Sequence, residues 1–98
     1  MTRTLIVESP AAAEISNSVD WYERRNPPAC AKFVDSLAMA FRSIAENPDQ
    51  HQIVYRTVRR ALLAGFPYAL FYVVKDERIH VISFHTSRDP AVWRERLR

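Results

Sequence analysis

Arg56, Arg59, Arg60, His85 and Arg88 are the side chains of this sequence best suited to chemistry on charged groups. Twelve of the fourteen basic residues are arginine. The planar guanidinium grips phosphate or carboxylate through two parallel hydrogen bonds, which an ammonium cannot do. His85 adds a side chain whose ordinary pKa, about 6.5, lets it take or give a proton near neutrality. The charge is uneven along the chain: residues 1–50 carry five basic and seven acidic side chains, whereas residues 51–98 carry nine and four. A phosphate-rich or carboxylate-rich partner for the second half is therefore favoured, the alternative being an arginine-rich solvated surface. Cys30 is the single cysteine and has no Cys/His cluster around it, so neither a disulfide framework nor a structural zinc site is expected. No metal and no organic cofactor is implied.

At 98 residues the chain is one domain, too short for two independent cores. Apolar residues at 48% and charged residues at 26% are ordinary globular usage, and one glycine against six prolines excludes collagen-like and low-complexity classes. No apolar run approaches the length of a membrane span. Met1-Thr2-Arg3 leads into a strand rather than a signal-peptide hydrophobic region, so a soluble, cytoplasmic protein is expected.

The elements that must position the arginines follow from periodicity. Thr4 to Glu8 is a β-branched run that predicts an opening strand. Ser9-Pro10 predicts a helix start with Ser9 as the capping residue. Ala12, Ile15, Val19 and Tyr22 then recur at helical spacing as far as Arg25. Asn26-Pro27-Pro28 must break that helix, and a second follows at once, with the stripe Cys30, Val34, Leu37, Phe41 and Ile44 ending at Asn47-Pro48. Beyond the turn Pro48 to His51 the pattern becomes extended: Thr57–Leu63, Tyr68–Val74 and Ile79–His85, linked by turns too short for helical crossovers. YALFYVV is apolar on both faces and belongs in the middle of the sheet. Asp89 is placed to cap a last helical turn or two from Pro90 to Leu97.

This order predicts a two-layer α+β domain, a helical hairpin on one face of a three- to four-stranded antiparallel sheet. The other face should be open to a partner, with Arg56, Arg59, Arg60, Tyr72, His80, His85 and Arg88 on it or at its rim. Neighbours on a strand point to opposite faces, so either Arg59 or Arg60 points away from it, and the sequence leaves open which.

Trp21-Tyr22-Glu23, Phe33 and Ile44 before Asn47-Pro48, Arg59-Arg60, Phe66-Pro67-Tyr68, Tyr72, and His85-Thr86-Ser87-Arg88-Asp89-Pro90 together resemble the RelE/ParE superfamily of bacterial type II toxin–antitoxin systems, over nearly the whole chain. The resemblance implies a growth-inhibiting toxin neutralised by a cognate antitoxin from an adjacent gene. Operator DNA would be reached only through that antitoxin, and no membrane is involved. RelE-like members cleave mRNA on the ribosome, and ParE-like members poison DNA gyrase. Cleavage at a 2′-hydroxyl needs a base, an acid and a cation on the phosphate. RelE-like nucleases supply these mainly with lysines and arginines on central strands. Here Lys75 falls at a hairpin tip and Lys32 on a helix, and arginine is a poor base, which favours gyrase as target. A nuclease would have to use His85 as base or acid with Arg60 and Arg88 holding the phosphate. Tyr72 would then stack on a base. The structural alternatives are His85 fixing a turn, Arg88 pairing with Asp89, and Tyr72 in the core with its hydroxyl at the rim. Arg56, Arg59, Arg60, Tyr72, Arg88 and Trp93 are the expected partner- or target-binding residues. A protein that keeps the fold as a binding module without toxicity is the third reading.

Overall fold

Asn26 serves two helices at once. Its backbone N–H closes the first on Tyr22 O at 2.7 Å, and its side-chain oxygen accepts from Ala29 N at 3.2 Å to open the second. The computed structural model describes residues 3–86. It places α1 at Ser9–Arg25 and α2 at Pro27–Glu46. Pro27 and Pro28 sit in the first turn of α2, where a missing N–H costs nothing. Arg24 and Arg25 close α1 with charge that complements the helix dipole. The start of α1 differs from expectation: Glu8, not Ser9, is the capping residue, and its side chain makes no capping bond. Glu8 still belongs to the sheet through Glu8 N to Val81 O at 2.9 Å, and its carboxylate is drawn to His80.

The sheet has five strands, the expected N-terminal strand and four antiparallel ones: β1 (Leu5–Val7), β2 (Gln52–Tyr55), β3 (Val58–Leu62), β4 (Ala69–Lys75) and β5 (Arg78–His85), in the order β1-β5-β4-β3-β2. The chain from β2 to β5 is an antiparallel meander, and β1 lies parallel to β5. β4 is central, as its two apolar faces require. The antiparallel strand that the spacing did not delimit, β2, is four residues that follow the 3₁₀ turn at Pro48–Gln50 after His51, and it pairs with β3 across a turn in which Arg56 takes a positive φ of 51°. The predicted terminal turn from Pro90 to Leu97 lies outside the described residues.

The main core lies between helices and sheet. Phe33, Leu37 and Ile44 of α2 and Ala11 of α1 meet Leu70, Tyr72, Ile79, Val81 and Phe84. The stripe of α2 is therefore turned relative to the predicted one: Phe33 is fully buried, Val34 is 44% exposed, and Cys30 and Phe41 are half-buried. Leu37 and Ile44 belong to both lines, and the larger Phe33 decides between them. Phe33 lies among the rings of Tyr22, Phe66, Tyr68 and Phe84, at centroid distances of 4.8 to 6.0 Å. The opposite face of the sheet is not bare either, because Val58, Ala69, Phe71 and Ile82 form a second buried cluster there.

A bulge in β5 sets the orientation of its last residues. Phe71 pairs with Ser83 and Tyr72 with Val81, so Ile82 is an extra residue. Val81 and Phe84, three apart, can then both face the helices. His85 is sent to the opposite side, with Phe71.

Candidate functional site

Strand alternation separates the two arginines of β3. Arg60 pairs with Phe71 and lies on the side away from the helices; it lines a cleft of about 440 Å³ at the end of the sheet where β3 and β5 finish and β4 begins, with Leu62, Phe66, Pro67, Tyr68 and His85 among its walls. The His85 ring stacks on Phe71 at 5.2 Å and 25°, and its Nε2 is buried. Arg60 Nη2 donates to Gln52 Oε1 at 3.0 Å, which steadies the guanidinium at the rim. Leu62, 67% exposed, is the most exposed large apolar side chain among the described residues. The cleft thus joins a cation to an apolar wall.

Arg59 points the other way and ties down the chain between α2 and β2. Its Nη1 donates to Asp49 O at 3.0 Å and His51 O at 2.6 Å, and Nη2 lies 3.9 Å from the Asp49 carboxylate. Tyr72, directly across from Arg59, is completely buried and its hydroxyl donates to Pro48 O. Burial pushes the Tyr72 phenol up to about 12, so it stays protonated and keeps donating. Of the two arginines it is therefore Arg59 that points away from the open face, and Tyr72 takes the core alternative rather than a place on that face. Both belong to a latch on the helical side, because β3 and β4 place this cross-strand pair there.

A family model, described as the ParE toxin of the type II toxin–antitoxin system parDE, matches residues 5–90. The chain belongs to the ParE toxin family. Solved structures agree in fold. A chain of the chromosomal ParDE toxin–antitoxin system from P. aeruginosa superposes with a TM-score of 0.72 at 20% identity, over 85% of this chain and 94% of that one. A chain of the toxin–antitoxin complex RelBE2 from Mycobacterium tuberculosis gives 0.55 at 16% identity, over 86% and 96%. No curated protein sequence matches the chain.

Within this ParE-family toxin the remaining candidates are dispersed. Arg56 sits exposed in the β2–β3 turn, its guanidinium 5.1 Å from the Tyr55 ring. His80 Nδ1 lies 2.9 Å from Glu8 Oε1, a pairing that joins β5 to the start of α1. Arg88 and Trp93 lie outside the described residues. So the structure brings together Arg60 and His85 but puts Arg59, Tyr72 and Arg56 elsewhere. The sequence reading missed Leu62 and Phe71 as cleft residues. Leu62 shares the face of Arg60 at a spacing of two, and that was the available signal. Among the described residues no group of three or more His, Cys, Asp or Glu could hold a metal ion, and no helix is long and apolar enough to cross a membrane.

The latch of the toxin also contains a titratable group. His51 Nε2 lies 3.0 Å from Ser43 Oγ, and Gln50 Nε2 donates to the same hydroxyl at 2.8 Å. Burial first, and the Arg59 charge second, hold the His51 imidazole below its ordinary range. Folded His51 thus binds fewer protons than unfolded His51 as the pH falls through the ordinary value of about 6.5. The stability it contributes is complete above that value and is lost on acidification. Thermal unfolding at pH 7.5 and 5.5 should show this loss, and His51→Gln should reduce the difference between the two pH values. An undiminished difference in the variant would assign the acid sensitivity to other groups.

Proposed function

We propose that this toxin arrests growth when free, is neutralised by a cognate antitoxin, and acts on DNA gyrase rather than by cutting mRNA. The observation that carries the choice of target is the make-up of the cleft. Its described ionisable side chains are Arg60, His85 and Tyr68: arginine does not deprotonate, His85 has its Nε2 buried, and the Tyr68 ring is stacked on Phe84 against the helix-side core. No lysine lines it: Lys32 is exposed on α2, and Lys75 ends β4 at its far end from His85. A proton-transfer pair needs two groups within hydrogen-bond reach of the reacting atoms. The cleft is better suited to binding than to phosphodiester cleavage.

The second reading, a ribosome-dependent nuclease, draws support from Arg60 and His85 sharing one cleft, with Arg88 as the third proposed member. Inducing the chain alone in a bacterium separates the readings. Gyrase poisoning gives filamentous cells, a DNA-damage response and inhibited supercoiling by purified gyrase, with mRNA intact. His85→Ala should remain fully toxic. Prompt loss of translation with cut mRNA, abolished by His85→Ala, would establish the nuclease instead. Absence of any growth effect would support a non-toxic binding module.

A further inference from the structure

The cleft beside Arg60 has a specific shape and chemistry. We propose that it seats a peptide segment of the antitoxin in which one large apolar side chain is followed by a carboxylate. The apolar side chain enters between Leu62 and the Pro67-Tyr68 wall, and the carboxylate lies on the Arg60 guanidinium. This deepens the antitoxin half of the functional reading and is independent of the gyrase half.

Three observations converge on it. Leu62 is left 67% exposed beside an apolar wall, and covering it removes apolar surface from water on both partners. The cleft, at about 440 Å³, has room for one or two side chains rather than a folded element. Arg60 is the cation among its described lining residues, and its contact with Gln52 Oε1 is a neutral one that a carboxylate can supplement or replace. Among the described residues a polyanionic strand would meet one arginine beside an apolar wall, whereas an acidic, apolar peptide satisfies both at once.

The test is a titration of the isotopically labelled full chain, followed by backbone amide NMR shifts. The probes are the capped dipeptides N-acetyl-Leu-Asp-N-methylamide, its Ala-Asp and Leu-Asn counterparts, and uridine 3′-phosphate. The Leu-Asp probe should shift the amides of Arg60, Leu62 and Phe71. Replacing Leu by Ala should weaken binding about tenfold, as expected for losing burial of a leucine side chain. Replacing Asp by Asn should weaken it about threefold, the size of a partly exposed ion pair. Arg60→Glu should reverse the charge preference, so that a Leu-Lys probe binds better than Leu-Asp. No shift in the cleft, equal binding of the Leu and Ala probes, indifference to the carboxylate, or stronger binding of the nucleotide would each overturn the proposal. Failure of the functional reading is visible separately. Rescue of growth by co-expression of a cognate antitoxin reports on the antitoxin half, and rescue without any peptide effect at the cleft refutes only the cleft assignment.

Discussion

Replacing Phe33 with alanine is expected to lower the stability of the toxin by about 3–5 kcal/mol, while Val34→Ala changes it by about 1 kcal/mol or less. The two residues are adjacent on α2, but Phe33 is fully buried and Val34 is 44% exposed. Removing the Phe33 ring leaves a void between α2 and the sheet, and the four rings around it lose their contacts together. A domain of this size has a net stability on the order of 5–15 kcal/mol, so Phe33→Ala uses up a large share of it. Urea unfolding of both variants measures the contrast. A Val34→Ala loss equal to that of Phe33→Ala would mean that α2 packs through the stripe predicted from spacing.

That contrast shows where the sequence was readable and where it was not. The helix boundaries at Asn26-Pro27-Pro28 and Asn47-Pro48 were legible because proline and asparagine act locally, through hydrogen bonds lost or supplied within one turn. β4 was legible as the central strand because only a doubly covered strand can be apolar on both faces. The phase of α2 was not, because it carries apolar residues on two adjoining lines that share Leu37 and Ile44, and only the partner surface chooses between them. The side taken by His85 depends on the bulge at Ile82, which leaves no mark in a run that reads as plain alternation. β2 is four residues long with two of them exposed, below the length at which a period can be recognised. Of the candidate site, Arg60 and His85 were identified as residues, but their shared cleft follows from register and bulge together.

Arg59 and Arg60 should therefore separate stability from binding, although they are neighbours of identical chemistry. Arg59→Leu is expected to cost about 2–3 kcal/mol, since hydrogen bonds to a charged donor contribute about 1.5–3 kcal/mol each and the leucine stem keeps part of the packing. The carbonyls of Asp49 and His51 lose their charged donor, and the segment they hold carries Pro48 O, the acceptor of the buried Tyr72 hydroxyl. The Asp49 carboxylate itself contributes little, being 78% exposed and 3.9 Å from the guanidinium, so Asp49→Ala should be nearly neutral. Arg60→Ala should leave stability within about 0.5 kcal/mol, because its contact with Gln52 is a solvent-exposed one. It should weaken capture of the acidic peptide at the cleft, which Arg59→Leu should leave intact wherever the variant remains folded. Unfolding curves and peptide titrations on the same two variants check both halves. A stability loss centred on Arg60, or a binding loss centred on Arg59, would require the register of β3 to be shifted by one residue and the cleft to be built from the other face.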